Sequence, residues 1–297
     1  MGLDSNEKIL TDYNDVFADI MNVFLYGGKQ VIKEETLENS KDRSQYKADG
    51  KLHEQERDVS KFYNGKEMRI AFLGMEHQNY EDPFMPLRVI SYDGSAYRAQ
   101  LLKGCELEGD KNRPKPYPVI TLVLFFGTKH WSAGKSLYEV LDVPQEIKKY
   151  VNDYKINLVE VAFLNQKQID LFQSDFKIIA DLFVQKRKHV KYVPSDEKIK
   201  HVDEFLKLLK ITSGDDRYTE ILNNLNNQKL SEKGEITMCE IYDQIEGLGI
   251  QKGIKQGIQQ GIQMEKANTE KERKRAEAAE KEIKRLKKLL LEQNSGF

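Results

Sequence analysis

Two acidic residues in the first third of the chain, Asp58 and Glu76, could together hold a divalent cation. Glu76 follows residues 70–75, which are apolar apart from one glycine. A carboxylate that ends a buried strand is costly unless it is paired or bound to a metal ion. Mg²⁺ binds a few carboxylate oxygens and keeps several waters, so two carboxylates on neighbouring strands suit it. A cation held there would offset negative charge and activate a water during phosphodiester hydrolysis.

Gln78 lies two positions after Glu76, and residues two apart on a strand share a face. Its amide can donate and accept hydrogen bonds, so we expect it to orient water beside the cation. The ordinary alternative is that Asp58 and Glu76 form salt bridges with Arg57 or Arg69. Spacing alone favours that alternative, because short motifs often match by chance.

The elements that would position these side chains are a hairpin and the helix that follows it. Residues 53–62 and 68–76 have the character of strands, and Asn64-Gly65 between them is typical of a hairpin turn. Residues 34–51 are polar and predict a loop. The rest of the first 190 residues predicts helices at 12–26, 86–102 and 175–187, and strands at 119–126 and 156–163. Interleaved helices and strands indicate an α/β fold with a mixed sheet.

The chain changes character after Pro194. Residues 195–209, 218–225 and 231–245 predict three short helices, and a four-residue Gly-Ile repeat beginning at Gly249 predicts a weak helix or a hinge. Apolar residues then recur at two heptad positions, which predicts a coiled coil that joins copies of the chain into a homo-oligomer. They are Ala276, Ile283 and Leu290 at one position, and Ala279 and Leu286 at the other. A lone solvated helix is the alternative, since the apolar seam covers only about two to three heptads.

The pattern therefore divides the chain into three domains: an α/β domain at 1–193, a short helical region at 194–247 and a tail at 248–297. Hydrophobic residues make up 39% of the 297 residues, which is enough for a core. Residues 265–292 hold ten Lys/Arg and seven Asp/Glu, a net charge of +3, which leaves −4 for the rest of the chain. No global basic field favours nucleic acid, so a DNA-binding groove would have to be a local patch.

Three features of the sequence bear on the cellular compartment. Residues 1–10 lack the basic and apolar pattern of a signal peptide. The longest apolar run, residues 119–126, is too short to span a membrane. Cys105 and Cys239 lie far apart and predict reduced thiols. We therefore expect a cytoplasmic protein with no membrane association.

One stretch of sequence points to a family. Gly74-Met-Glu-His-Gln-Asn-Tyr80, followed by Met85-Pro-Leu-Arg-Val-Ile-Ser-Tyr92, resembles the recombination-promoting nuclease and transposase family. The resemblance extends through residues 117–126 and 150–187, and the Gly-Ile repeat with its charged tail is also similar. It implies the PD-(D/E)XK restriction-endonuclease-like fold, a mixed sheet flanked by helices, whose active site is an Asp followed on the next strand by Glu-x-Lys.

Carried over to this chain, the resemblance implies a Mg²⁺-dependent DNA endonuclease linked to recombination or mobile elements. Asp58 and Glu76 are then the metal ligands, and Asp58, Glu76 and Gln78 are the catalytic residues. Gln78 stands where the wider superfold has lysine, so it lacks the positive charge. Two other functions therefore stay open: a catalytically degenerate nuclease fold that serves as an oligomeric adaptor, and a transposase that joins strands at the same site.

Four further residues have both a functional and an ordinary interpretation. The fold often draws another acid from its first helix, which makes Asp19 a candidate, although a solvated acidic helix face is the simpler interpretation. Arg88 could contact a DNA phosphate or pair with Asp82 or Glu81. His130 and Trp131 could border a substrate groove, while a hydrophobic plug is the simpler expectation.

Overall fold

The computed structural model describes residues 10–39, 43–48, 51–56, 59–63, 68–75, 81–108, 115–189, 192–213, 215–227 and 236–294. The chain forms two compact units, Met1–Tyr242 and Asp243–Phe297. The division after residue 193 stays a prediction.

The first unit is built around a five-stranded mixed sheet, and the predicted α/β class is confirmed. Its strands run in the order β1, β4, β5, β6, β7. They are β1 (Leu37–Asn39), β4 (Val59–Tyr63), β5 (Met68–Met75), β6 (Val119–Phe125) and β7 (Asn157–Glu160). β1 pairs with β4 and β4 with β5 in antiparallel fashion, whereas β5 pairs with β6 and β6 with β7 in parallel fashion.

A separate two-stranded antiparallel sheet consists of β2 (Arg43–Ala48) and β3 (Lys51–Glu56). The structure corrects two predictions here: the loop at 34–51 contains strands, and the single strand at 53–62 is two strands in different sheets. The polar composition suggested a loop, but Asp49-Gly50 between β2 and β3 is itself a sequence typical of hairpins.

Before residue 190, the helices of the first unit include α1 (Asn14–Tyr26), α2 (Met85–Glu108), α3 (Leu137–Val140), α4 (Gln166–Ile169) and α5 (Phe176–Arg187). The predicted helix at 175–187 is confirmed, and the one predicted at 86–102 extends further, to Glu108. Short 3-10 turns occupy Glu34–Thr36, Lys148–Tyr150 and Val161–Phe163. The last of these replaces the end of the strand predicted at 156–163.

Helices cover both faces of the sheet at the buried strand β6. Val123 and Phe125 pack with Met85 and Val89 of α2 on one side. Phe126, on the other side, contacts the rings of Phe176 and Phe183 in α5. Successive side chains of a strand point to opposite faces, so a continuous apolar run is what a sheet between two helical layers requires.

Three helices follow: α6 (Val202–Ser213), α7 (Arg217–Asn227) and α8 (Met238–Asn294). The helix predicted from 195 begins only at Val202, because the Asp175 carboxylate binds the backbone N–H groups of Lys200 and His201. The Gly-Ile repeat was predicted to be either a weak helix or a hinge. It is helical and lies within α8. The helices of the described residues include none that is both long and apolar enough to cross a membrane.

Candidate functional site

The parallel strands end together at one edge of the main sheet, here named the carboxyl edge. Met75 of β5, Phe125 of β6 and Glu160 of β7 are paired across that edge. Because β4 is antiparallel to β5, it begins at the same edge, where Val59 pairs with Phe72. In open α/β sheets, ligands bind outside the carboxyl ends of the strands.

The predicted catalytic residues adjoin this edge in the chain. Asp58 directly precedes β4, and Glu76 directly follows β5. Asp58, Glu76 and Gln78 themselves lie outside the described residues. The structure therefore fixes the strands to which the first two are joined, and the roles of the three side chains stay predictions.

Glu160 is a carboxylate at this edge that the sequence analysis did not single out. It accepts a hydrogen bond of 2.7 Å from the backbone N–H of Trp131, and it lies 3.2 Å from Nδ1 of His130. The signal that could have found it is the one used for Glu76, an acidic residue at the end of a predicted strand. Glu160 thus fixes the loop that follows β6.

His130 and Trp131 have different surroundings. Trp131 is buried and meets Phe125 edge-on, with ring centroids 5.1 Å apart, so it is the hydrophobic plug. The side chain of His130 is 70% exposed, and its ring stacks on Phe163 with a centroid distance of 3.6 Å. The Arg187 guanidinium lies 4.6 Å from the same Phe163 ring. A basic and aromatic surface therefore adjoins the carboxyl edge.

Glu81 ties the segment after Glu76 to the same loop. One of its carboxylate oxygens, Oε2, accepts hydrogen bonds from the backbone N–H and the hydroxyl of Ser132 at 2.8 Å, and from the N–H of Ala133 at 2.7 Å. These three hydrogen bonds to one carboxylate oxygen attach the segment just before α2 to the loop that contains Ser132. This anchor is five residues from Glu76 in the sequence.

Arg88 forms an ion pair, which is one of its two predicted alternatives. Its Nη1 donates to Oδ2 of Asp82 at 2.9 Å. Burial would lower the pKa of Arg88, but hydrogen bonds to Tyr92 and Asp82 raise it above its ordinary value. The guanidinium is therefore charged and oriented, with its side chain still 46% exposed.

The polar face of α1 is not solvated, which corrects the simpler interpretation of that face. Asp19 is only 4% exposed, and Asn22 is fully buried. Oδ2 of Asp19 accepts the N–H groups of Gln173 and Ser174 at 2.9 and 2.8 Å. Burial raises the pKa of Asp19, and these hydrogen bonds only partly offset it. This carboxylate joins α1 to the segment before α5.

A cleft of about 550 Å³ is lined by Asp15, Asp19, Asp175, Lys200 and residues around them. Its carboxylates have internal partners: Asp175 holds the N–H groups of Lys200 and His201 at 2.9 and 2.7 Å. Within the described ranges, no group of three or more His, Cys, Asp and Glu side chains could hold a metal ion. Asp15, Asp19 and Asp175 each bind groups of other segments of the first unit.

Comparison with known families decides the identity of the first unit. Residues 38–218 match the family model described as "Putative transposase, YhgA-like". The chain belongs to this transposase family. The match covers more than half of the 297 residues, so the family predicted from the Gly74–Tyr92 region is confirmed. It includes Asp58, Glu76 and Gln78 and leaves out the tail. Searches of curated proteins and of solved structures gave no match.

Proposed function

We propose that this transposase-family chain is a Mg²⁺-dependent DNA endonuclease of the PD-(D/E)XK type. The observation that carries the proposal is the pairing of β4 and β5. β4 begins and β5 ends at the carboxyl edge, and Asp58 and Glu76 are the next residues in the sequence beyond those two strand ends. The mixed sheet with helices on both faces agrees with the nuclease fold that the family resemblance implies.

Asp58 and Glu76 would hold the cation, and both are hard oxygen donors of the kind that Mg²⁺ prefers. When bound, the metal ion supplies charge neutralisation at the scissile phosphate and acidifies a water. Gln78 orients that water through its amide. The basic and aromatic surface of His130, Phe163 and Arg187 offers phosphate contacts and stacking beside the edge, although the chain as a whole is slightly acidic.

The test is nicking of supercoiled plasmid DNA by the purified full chain with Mg²⁺. Asp58→Asn and Glu76→Gln remove one charge each while they keep the side-chain size, so we expect each to lower the nicking rate at least about 100-fold. Glu146→Gln makes the same change at an exposed site and should leave the rate unchanged. Thermal unfolding of all three variants reports whether the fold is intact.

The outcomes separate the candidate functions. Nicking by Glu76→Gln at the wild-type rate would contradict the proposal. A wild-type chain that binds DNA without cutting it, with either Mg²⁺ or Mn²⁺, would favour the catalytically degenerate adaptor, which Gln78 in place of lysine motivates. Joining of a labelled donor strand to the plasmid would identify the strand-transferring transposase.

A further inference from the structure

The second unit presents a line of apolar side chains on a helix surface. Ile258, Ile262, Ile283 and Leu286 of α8 are about half exposed, at 58, 48, 52 and 50%. Their neighbours along the helix are mostly charged or amide side chains. A long helix without a packing partner gains little from burial, and its stability in proteins comes mostly from an apolar face that packs.

These side chains follow one heptad frame across the whole tail. With Ala276 at position a and Ala279 at position d, Ile283 and Leu286 are the next a and d residues. Counting back by sevens places Ile262 at a and Ile258 at d in the same frame. The other two isoleucines of the repeat leave the seam, because a four-residue step advances roughly 40° around a helix.

The charges beside the seam are complementary for one arrangement of two helices. In a parallel, in-register pair, a residue at g faces the residue at e five positions later in the partner helix. Arg275 at g then faces Glu280, and Glu282 at g faces Lys287. Each contact occurs twice, once on either side of the seam, so four opposite-charge contacts form and no like charges meet at these positions.

The direction of pairing decides which apolar segments and which charges of the two helices meet. An antiparallel pair centred on the alanine-leucine part of the seam would place the two Gly-Ile repeats at opposite ends, where neither meets the other. A parallel pair brings Ile258 and Ile262 of each copy against their equivalents. An antiparallel pair centred near Glu272 would also cover both segments, but position g then faces g, so the opposite-charge contacts of the parallel pair, such as Arg275 with Glu280, do not form.

From this pattern we infer that a second copy of this chain docks on the seam of α8, parallel and in register. Contact is made in two segments, 258–262 and 276–286. Between them the seam positions are Glu265, Thr269 and Glu272, so equivalent carboxylates face each other there. Like charges weaken the pair, and the dimer is consequently reversible. This inference is independent of the proposed nuclease activity.

Single cysteines test the register and the direction in the full chain. In a background of Cys105→Ser and Cys239→Ser, Ile262→Cys and Ala279→Cys should each form an intermolecular disulfide with itself under mild oxidation. Gln260→Cys and Lys281→Cys, at the outer position f, are the matched controls and should give at least tenfold less. A crosslink that forms only when Ile262→Cys and Ala279→Cys chains are mixed would show an antiparallel pair and overturn the inference.

Exchange of charges tests the same pair without cysteines. Arg275→Glu and Glu280→Lys each place like charges across the seam, so each should weaken the dimer about threefold to tenfold in analytical ultracentrifugation. An equal mixture of the two variants restores opposite charges at both contacts and should recover wild-type association. Wild-type chains that stay monomeric at high concentration, or a mixture no tighter than the separate variants, would overturn the inference.

Discussion

Asp15 shows how a single carboxylate on α1 holds distant parts of the first unit together. Its oxygens lie 2.9 Å from Nε2 of His201 and 2.9 Å from Nζ of Lys200. Burial would raise the pKa of Asp15, but the hydrogen bonds from His201 and Lys200 hold it well below its usual value. Because the folded pKa is lowered, Asp15 stabilises the fold above the ordinary carboxyl pKa of about 3.9 and loses this effect as pH falls towards the folded value.

We therefore expect Asp15→Asn to destabilise the chain by about 1–3 kcal/mol at pH 7, since hydrogen bonds to charged groups are lost. The difference in the free energy of unfolding between variant and wild type should become smaller as pH falls below about 4, where the carboxyl of Asp15 in the unfolded chain becomes protonated. Urea unfolding at several pH values measures both effects. Asp142→Asn, at an exposed position, is the control. An Asp15→Asn gap that stays constant down to pH 2 would contradict the assignment.

At the scale of elements, Lys61 joins β4 to β1 and to the segment just before α1. Its side chain is fully buried, yet Nζ reaches Oδ1 of Asp12 at 3.0 Å and Oδ1 of Asn39 at 2.5 Å. The same nitrogen lies 5.7 Å from the centre of the Phe17 ring. A buried lysine is tolerated only when its charge is satisfied in this way.

Lys61→Ala removes the buried stem and leaves Asn39 without its donor, so we expect a loss of about 2–4 kcal/mol in the free energy of unfolding. Lys61→Met keeps most of the volume and removes the charge, and its cost should be smaller, about 1 kcal/mol. Urea denaturation followed by circular dichroism compares the two. Equal costs for both variants would mean that the charge contacts matter and the packing does not.

The elements themselves were predictable wherever one local pattern dominated. The strands on either side of Asn64-Gly65, the buried run at 119–126 and the helix at 175–187 each have a strong periodic or turn signal. The structure contains the strand pair β4–β5, the strand β6 and the helix α5 at these places. β2 was missed, and β3 was merged with β4 into one predicted strand, because a polar sequence carries no apolar alternation. The start of α6 was misplaced because a side chain 25 positions away, Asp175, binds the backbone before it.

At the scale of the whole molecule, the family match and the tail occupy different parts of the chain. The match ends at residue 218, before the second unit. A chain that stops after Gly247 should therefore keep one cooperative thermal transition but sediment as a monomer where the full chain is a dimer. Ultracentrifugation and thermal unfolding of the shortened chain give both readouts. Dimerisation of the shortened chain would place the interface outside the tail.

The sequence by itself determined the α/β class, the family and the heptad frame of the tail, because periodicity and short motifs are properties of neighbouring residues. Only the tertiary structure decided the partners of single side chains. Asp15 meets His201 across 186 positions, and Asp19 meets Ser174 across 155. Such contacts depend on how the helices pack on the sheet and on one another, and no pattern among neighbouring residues predicts them. The pairing of β4 with β5, in contrast, follows from the hairpin pattern in the sequence, and the pairing of Asp58 with Glu76 stays a prediction.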